Sequence, residues 1–500
     1  MRAMKSTIGA LAALWAVPSL AQTRPTLYPA AQTVDVTEGA TDTAIKFRAS
    51  TPAYDKPLFP DVQFDPAKLS QDGPIVMSAP NVYRAAFKSV ATLPGGVTTG
   101  TVTFRMCRDS PCAHPWPGTE QVFTYTINVA LKDWVTYQRD AGHSGYVHAS
   151  YTGTFKKRWV WQPAGTGGMS AVATKGSSIF IVRGDYSSNS IVSLSMLGAP
   201  QWVYPIGTTA YVSAPAIADN KVFVPYMVMS SVTNPIVALD AATGNVALSN
   251  MTFASQWSPF TAPTPYGDAL HLAAGYFGNE VTAYALASGE TRWDSAGQGP
   301  WIYGGETPAV DAQHVYYYSG SSLDVFDRLT GTRVNSFADP YFSWGGYTYL
   351  GGPMLGTNGN VILQSGTGYY KPLVKFTSGG AATQLGTNSY VTAPAIAKGT
   401  IYSATLSQLD AVSEADGSIL WSWMRPQDDY TYITGNIVAT DTLILLSTGL
   451  KLYAISATDP AHPVVWSATT PGNIAISRDG LLLVTTTLNG SPALVAYSVK

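Results

Sequence analysis

The two cysteines, Cys107 and Cys112, are the first residues whose chemistry can be judged from their spacing. They lie in a stretch rich in Pro and Gly between two strand-like runs, with His114 two residues further on. Two cysteines and one histidine fall one ligand short of a structural zinc site, and the spacing differs from that of thiol oxidoreductases. In an oxidising compartment such a pair usually forms a disulfide. We therefore predict a Cys107–Cys112 bond, with a metal or redox pair as the alternative.

Residues for acid–base or metal chemistry are present but scattered. The histidines beyond residue 131 are His143, His148, His271, His314 and His462. No Gly-x-Ser-x-Gly or His-Glu-x-x-His motif occurs. His143 and His148 are the closest pair and have no third ligand nearby, so we expect surface or hydrogen-bonded roles for them. A pair of carboxylates for glycoside cleavage needs only proximity in space, so that chemistry stays open.

Length and composition restrict the class of protein. The chain has 500 residues, of which 12% are charged and 12% are aromatic, and its formal net charge is −2. This length predicts two domains, or one large repeat domain with an extra domain. The aromatic content excludes a disordered chain, and the scarcity of Glu and Lys disfavours a coiled coil or a helix bundle. Without a basic excess we expect no nucleic-acid partner.

Residues 1–21 have the pattern of a signal peptide. Arg2 and Lys5 precede an apolar run from Ile8 to Val17, and Ser19 and Ala21 are small residues at the expected cleavage site. The apolar run is too short to span a bilayer, and no cysteine follows it as a lipid attachment site. We therefore expect an exported, periplasmic or secreted protein with no membrane span and no lipid anchor.

Residues 22–131 read as a small β-sandwich. Short alternating runs are separated by turn signals such as Asp72-Gly73. About seven strands in ~100 residues are typical of an immunoglobulin-like fold. Thr101–Arg105 and Phe123–Val129 are the strands that we expect to flank the disulfide loop.

A repeat begins after residue 131. Its clearest mark is a small residue before a proline, and the prolines are 41 to 48 residues apart: Pro215, Pro263, Pro308, Pro353 and Pro394. Equivalent starts without proline fit at Ser170-Ala171, Asn436-Ile437 and Asn473-Ile474. Each start is followed by a strand, a turn containing Gly and another strand, often with a Trp. A unit of this length and pattern is typical of a four-stranded propeller blade.

These eight starts predict an all-β fold, with an eight-bladed β-propeller over residues 132–500. The last repeat supplies only three strands, from Asn473 to Lys500. We expect residues 157–162 to supply its fourth strand, which would close the ring and remove an open sheet edge.

The hairpin motif resembles the quinoprotein-type (PQQ-like) propeller repeat, most fully in VALDAATGNVAL (237–248) and TAYALASGETRW (282–293). The segment WVTYQRDAGHSGY (134–146) looks like the one that opens such propellers. The resemblance covers residues 133 to 500. It implies either a periplasmic alcohol dehydrogenase with pyrroloquinoline quinone and calcium, or a non-enzymatic scaffold such as a lipoprotein subunit of the outer-membrane protein assembly machinery.

The residues favour the scaffold. Quinone dehydrogenases of this family carry adjacent cysteines beside the cofactor, and residues 132–500 contain no cysteine. No calcium spacing links the acidic residues Glu280, Asp324, Asp327, Asp428 and Asp429. Asp240 and Asp327 fit a turn-capping role better. We therefore predict no cofactor, no metal site and no catalytic residue, with a quinone dehydrogenase and a polysaccharide-acting propeller enzyme as alternatives.

Aromatic residues precede the repeat starts, where the connections between blades share one face of a propeller. The candidate ligand-binding rim consists of Tyr211, Trp257, Phe260, Trp301, Tyr303, Trp344, Tyr349, Tyr390 and Tyr432. Such a ring could stack on sugars or grip an extended peptide of an envelope protein. The alternative is that these side chains wedge between neighbouring blades.

Overall fold

The computed structural model describes residues 24–41, 44–54, 56–165, 167–185, 187–228, 231, 233–254, 262–274, 280–296, 307–346, 351–368 and 371–499. These residues form β-strands and loops, apart from one 3-10 turn at Thr357–Gly359. None of the described residues belongs to a helix that could cross a membrane. The chain divides into two compact units, with the boundary between Ala130 and Leu131.

The smaller unit is built from two sheets that share one core. Its described strands are β1 (Thr26–Tyr28), β2 (Ala31–Thr37), β3 (Ile45–Ser50), β4 (Phe59–Gln63), β5 (Leu69–Gln71), β6 (Val76–Ala79), β7 (Val82–Ser89), β8 (Gly96–Cys107) and β9 (Gln121–Ala130). One sheet has the order β1-β3-β7-β5, with β6 also paired to β7, and the other has the order β2-β9-β8-β4. Alternate residues point inward, so Phe47, Phe87, Phe104 and Phe123 are buried together.

The predicted disulfide is present between β8 and β9. Cys107 and Cys112 are bonded, with their Cα atoms 5.4 Å apart. The two strands pair antiparallel on either side of the loop, as the alternation of the sequence predicted. The Nδ1 of His114 lies 2.8 Å from the carboxylate of Asp109.

The larger unit consists of eight sheets in the described residues, each with at least four strands. Two strands come first, β10 (Tyr146–Val147) and β11 (Lys156–Trp161). The first sheet contains β12 (Gly168–Met169), β13 (Ala173–Lys175), β14 (Ser178–Gly184), β15 (Asn189–Ser195) and β16 (Pro200–Gly207). The second contains β17 (Tyr211–Val212), β18 (Ala216–Ala218), β19 (Lys221–Met227), β20 (Thr233–Asp240), β21 (Val246–Leu248) and β22 (Thr252–Ala254). The third contains β23 (Thr264–Tyr266), β24 (Ala269–Ala274), β25 (Glu280–Ala285) and β26 (Thr291–Ala296).

The fourth sheet contains β27 (Ala309–Val310), β28 (His314–Tyr318), β29 (Ser322–Asp327) and β30 (Arg333–Ala338). The fifth contains β31 (Met354–Leu355), β32 (Val361–Gln364), β33 (Lys371–Phe376) and β34 (Ala382–Tyr390). The sixth contains β35 (Ala395–Ala397), β36 (Thr400–Ala404), β37 (Gln408–Ser413) and β38 (Ile419–Met424). The seventh sheet joins β10 to β39 (Ile433–Thr440), β40 (Leu443–Thr448), β41 (Leu452–Ser456) and β42 (Val464–Ala468). The eighth joins β11 to β43 (Asn473–Ile476), β44 (Leu481–Leu488) and β45 (Ser491–Ser498).

Each predicted repeat start lies directly before or within the strand that leads one sheet. We call these the leading strands: β13, β18, β23, β27, β31, β35, β39 and β43. Most of their buried residues are small or branched, such as Ala173, Ala216 and Ala395, which lets neighbouring sheets approach closely.

Tryptophans on the last strands fasten one sheet to the next. The indole nitrogen of Trp202 donates to Ala241 O at 3.1 Å, and that of Trp293 donates to Arg328 O at 3.0 Å. Both acceptors lie in the turn of the following sheet whose glycine is part of the repeat motif. A Cβ atom on Gly331 would lie 2.5 Å from Trp293, so this position requires glycine. The Gly and Trp of the motif therefore form the joint between sheets.

The ring is closed by strands from both ends of the larger unit, as predicted. β11 pairs antiparallel with β45, with Trp161 opposite Leu494. From β11 the indole of Trp159 donates to Met196 O, in a turn of the first sheet, at 2.9 Å. The eighth sheet therefore joins the first by the same kind of contact that links the first sheet to the second and the third to the fourth.

Candidate functional site

Residues 134–145, which we call the central segment, pass the leading strands of seven sheets in chain order. Thr136 Oγ1 donates to Pro263 O, just before the third leading strand, at 2.6 Å. At the other six, a backbone carbonyl of the segment accepts a backbone N–H at 2.7–2.9 Å: Trp134 from Thr174, Val135 from Ile217, Ala141 from Val310, Gly142 from Leu355, Ser144 from Ile396 and Gly145 from Ala439. The segment thus follows the ring around its centre.

Left-handed backbone conformations let the central segment turn this tightly. Gln138, Arg139 and His143 have φ values of 47°, 82° and 58°. Gly145, at φ 58°, could not carry a side chain, because a Cβ atom would lie 2.7 Å from Gln138 Nε2 and 3.1 Å from Ile437 O. Residues other than glycine are strained in this region of backbone space and stay there only where the surrounding structure holds them. Here the backbone hydrogen bonds to the leading strands hold them.

A network of carboxamides ties the segment to the last three sheets. Gln138 Nε2 lies within hydrogen-bond distance of both Pro394 O and Ile437 O. Its Oε1 accepts from Asn436 Nδ2 at 3.0 Å. Asn436 in turn accepts from Ile474 N at 2.8 Å and lies 2.9 Å from Ile474 O. Gln138 is buried and Asn436 is half-buried, and because both amides are satisfied by protein groups, they hold the centre of the ring in place.

His143 is buried in the same segment and acts as a neutral hydrogen-bonding group. Its Nδ1 donates to Pro353 O at 2.7 Å, which leaves Nε2 to accept from Thr264 Oγ1 at 3.3 Å. Desolvation lowers the pKa of His143 to about 4. The histidine therefore bridges the third and fifth sheets and is not available as a base to a ligand.

A cavity of about 430 Å³ opens over the central segment. Its floor includes Trp134, Thr136, Tyr137 and Gln138, and its walls are residues just before or at the leading strands, such as Ala171, Pro215, Ala262, Ala393 and Asn473. The Tyr137 phenol forms no hydrogen bond with a described residue. Burial raises the pKa of the Tyr137 phenol, so it stays protonated and can donate to a ligand.

Two further cavities adjoin the central one. The first, about 390 Å³, shares Val212 with it, and the second, about 560 Å³, shares Gly435 and Asn473. Gly168 lines both of these outer cavities. We call the three together the concave face. They form a continuous depression on the side of the ring where the strand-to-strand connections enter the leading strands.

The lining of the concave face is almost uncharged. Among the described residues, it contains no Lys, Arg, His or Glu, and its carboxylate is Asp185. Asp185 Oδ1 accepts from its own loop, from Ser187 Oγ at 2.6 Å and from the Ser188 backbone at 3.1 Å. The buried hydroxyls of Thr485 and Thr486 line the face without a hydrogen-bond partner. This arrangement can bind polar, uncharged groups but offers no acid–base pair.

The quinone and calcium that the resemblance implies do not fit this lining. Calcium takes six to eight oxygen ligands, including carboxylates, and the carboxylates of the quinone need basic partners. The described lining supplies no basic side chain, and its single carboxylate is engaged by Ser187 and Ser188.

The structure separates the predicted aromatic rim into three sets. Tyr211, Trp344 and Tyr432 are exposed, and so is the neighbouring Tyr430. Tyr211 lines the concave face, and Tyr432 lies two residues before Thr434, which also lines it. Tyr390 is buried. The other five rim residues lie outside the described residues: Trp257, Phe260, Trp301, Tyr303 and Tyr349.

Tyr390 is not part of an exposed rim. It is fully buried at the end of β34, and its hydroxyl donates to Asp410 Oδ2 in the next sheet at 3.1 Å. Burial and the neighbouring carboxylate both raise the pKa of the Tyr390 phenol. At this position the packing alternative is the right one, because the ring wedges between two sheets.

The other residues considered for chemistry have structural contacts. Asp240 and Asp327 cap their turns through Thr243 and Thr330, which confirms that interpretation. Asp429 is buried and accepts from Thr448 and Tyr453, and Asp428 pairs with Lys451 at 3.0 Å. His148 lies 3.6 Å from Asp441, and Asp324 is buried in its strand. The side chain of Glu280 lies outside the described residues.

Comparison with known proteins supports the propeller architecture. No protein-family model and no curated protein sequence matches the chain. Among solved structures the chain is similar to BamB from Moraxella catarrhalis, with 17% identity and a TM-score of 0.52, over 69% of this chain and 100% of that one. RRP9 WD40 repeats and U3-55K match at 9% identity, with TM-scores of 0.40 and 0.41, over 70% and 69% of this chain and 99% and 98% of theirs. The likeness to BamB shows the fold alone: the protein is a β-propeller protein.

Proposed function

We propose that the protein is an exported, non-enzymatic binding scaffold whose concave face holds an uncharged segment of an envelope protein or a glycan. The observation that carries this proposal is the lining of the face, which combines apolar walls with hydrogen-bonding groups and lacks catalytic side chains among the described residues. Ligand-binding sites commonly have this composition: a concave, mostly apolar surface with a few polar groups that fix orientation.

Three features support ligand binding at this face. The buried hydroxyls of Thr485 and Thr486 have no hydrogen-bond partner, and the Tyr137 phenol forms no hydrogen bond with a described residue, so a ligand can satisfy these groups. Tyr211 and Tyr432 lie beside the cavities and expose their rings. The central segment fixes the floor, so little order has to be gained on binding.

The proposed protein has an immunoglobulin-like smaller unit, an eight-bladed propeller and an export signal. The sheet orders β1-β3-β7-β5 and β9-β8-β4 correspond to those of an immunoglobulin-type sandwich, which supports assigning the smaller unit to that class. Eight sheets in the larger unit support a ring of eight blades. Export rests on residues 1–21, which lie outside the described residues.

The sharpest test blocks the face without disturbing the fold. Gly168 has ordinary backbone angles, and a Cβ atom there would meet nothing within 4 Å, so Gly168→Phe projects a ring into the outer cavities. Gly379→Phe is the matched control, because Gly379 is exposed on a turn that lines none of these cavities, and its nearest atom would lie 3.9 Å away. Wild-type protein would be screened on a glycan array and against a displayed random-peptide library.

We expect the wild type and Gly379→Phe to bind the same ligand, and Gly168→Phe to lose it at least about tenfold. Equal binding by all three proteins would move the site away from the concave face. Pyrroloquinoline quinone and calcium would be added in a parallel experiment. Stoichiometric uptake of the quinone with dye-linked alcohol oxidation would overturn the scaffold in favour of a dehydrogenase.

A further inference from the structure

A second concave surface lies on the outer side of one sheet of the smaller unit. This groove, with a volume of about 660 Å³, has β3 and β7 as its floor. Tyr28 and Pro29, at the end of β1, form one wall, and Pro74 and Val76 form the other. Since β1 pairs with β3 and β6 pairs with β7, the walls lie outside the two floor strands and the groove runs along them.

The floor carries like charges in direct opposition. Arg48 on β3 is paired in register with Arg84 on β7, and Lys46 lies two residues from Arg48 on the same exposed face. Like charges at directly opposed positions of an antiparallel pair destabilise the sheet. In a chain with only 12% charged residues, this concentration is a local departure from the composition.

No described protein group neutralises the two arginines. The guanidinium groups of Arg48 and Arg84 form no ion pair or hydrogen bond with another described residue. The acidic residue that lines the groove, Asp72, is paired with Lys88 at 3.0 Å. The groove therefore keeps a net positive floor between exposed apolar walls, one of which includes the ring of Tyr28, 78% exposed.

We propose that this groove binds an extended peptide segment with acidic side chains at alternate positions. Residues 46 and 48 on one strand are about 6.6–6.8 Å apart, because a strand rises 3.3–3.4 Å per residue. Alternate side chains of an extended ligand have the same spacing, so successive carboxylates can face Lys46 and Arg48. Guanidinium groups pair with carboxylates in two-pronged contacts, and the apolar walls flank the ligand on either side.

The test uses the full exported chain and two fluorescent octapeptides, one alternating Glu and Thr and one alternating Gln and Thr. The variant R48Q/R84Q removes the opposed charges. The matched control K156Q/K157Q removes two exposed positive charges from β11 of the larger unit. Fluorescence anisotropy would be measured at low and at physiological salt, since exposed charge pairs weaken as salt rises.

We expect the Glu peptide, and not the Gln peptide, to bind wild-type and control proteins, and R48Q/R84Q to bind it at least about tenfold more weakly. The reversed variant R48E/R84E should instead bind an octapeptide alternating Lys and Thr. This gain of binding cannot result from unfolding. Equal binding of both peptides, unchanged affinity of R48Q/R84Q, or no gain in R48E/R84E would overturn the proposal. So would binding of polygalacturonate, but not of the Glu peptide, through Arg48 and Arg84, which would assign the groove to an acidic glycan.

Discussion

Acid should weaken the propeller through two buried histidines. His143 donates to Pro353 O in the central segment, and His271 donates through Nδ1 to Thr264 O at 3.2 Å. Burial lowers the pKa of each to about 4. In the unfolded chain a histidine has a pKa of about 6.5, so below that pH it is protonated in the unfolded state while it stays neutral in the folded state. This contribution to stability is therefore complete above pH 6.5 and is lost as the pH falls towards 4.

The magnitude follows from these two pKa values. Lowering the pH from about 7 to about 5 should reduce the free energy of unfolding by roughly 2 kcal/mol for each histidine. In His143→Asn the amide nitrogen replaces Nδ1 as donor to Pro353 O, but the side chain no longer titrates. This variant should be less stable than the wild type at pH 7, because Thr264 loses its acceptor, and its loss between the two pH values should be smaller by about 2 kcal/mol.

Urea unfolding followed by tryptophan fluorescence measures this difference. Only Trp15 and Trp116 precede residue 132, so the signal reports mainly on the propeller. His114→Asn, on the surface of the smaller unit, is the control and should leave the curve unchanged. The reasoning would be refuted if the wild type became more stable on acidification, or if His143→Asn had the same pH dependence as the wild type.

Two further predictions concern joints in the fold. Gly331→Ala should destabilise the propeller by about 2–4 kcal/mol, because its Cβ would meet the Trp293 indole and its φ is 70°. Gly399 has a similar φ of 77°, but a Cβ there would meet nothing within 4 Å, so Gly399→Ala should reduce the free energy of unfolding by only about 1 kcal/mol. Urea unfolding measures both variants, and equal losses of stability would contradict the role of Gly331 in the joint between sheets. C107S/C112S should lower the stability of the smaller unit by about 2 kcal/mol, because the disulfide closes a short loop, and an unshifted calorimetric transition would count against this.

Local sequence signals predicted the parts of the fold that depend on neighbours in the chain. The disulfide could be inferred because Cys107 and Cys112 lie in one loop between alternating runs. The repeat was visible because several joints combine a Gly in a turn with an aromatic residue on the last strand, as in Gly331 and Trp293. The closing strand was predictable because the last repeat lacked one strand.

The candidate site was harder to predict because it is assembled from distant residues. Tyr390 and Tyr432 occupy equivalent places before a repeat start, yet one is buried against Asp410 and the other is exposed. The central segment binds the leading strands mainly through backbone carbonyls, which leave no mark on side-chain pattern. Its sequence, 134–146, was noticeable only as a segment that opens similar propellers. The opposed Arg48 and Arg84 depend on the register of β3 and β7, which their spacing in the chain does not reveal.

Hydrogen exchange with and without the ligand selected on the arrays locates the binding site on the protein. Bound ligand should slow backbone exchange at the segments that line the concave face: 168–172, 211–215, 434–436 and 471–474. Exchange at the turns on the opposite side of the ring, such as 241–244 and 328–331, should not change. Protection confined to those turns or to the smaller unit would contradict binding at the concave face.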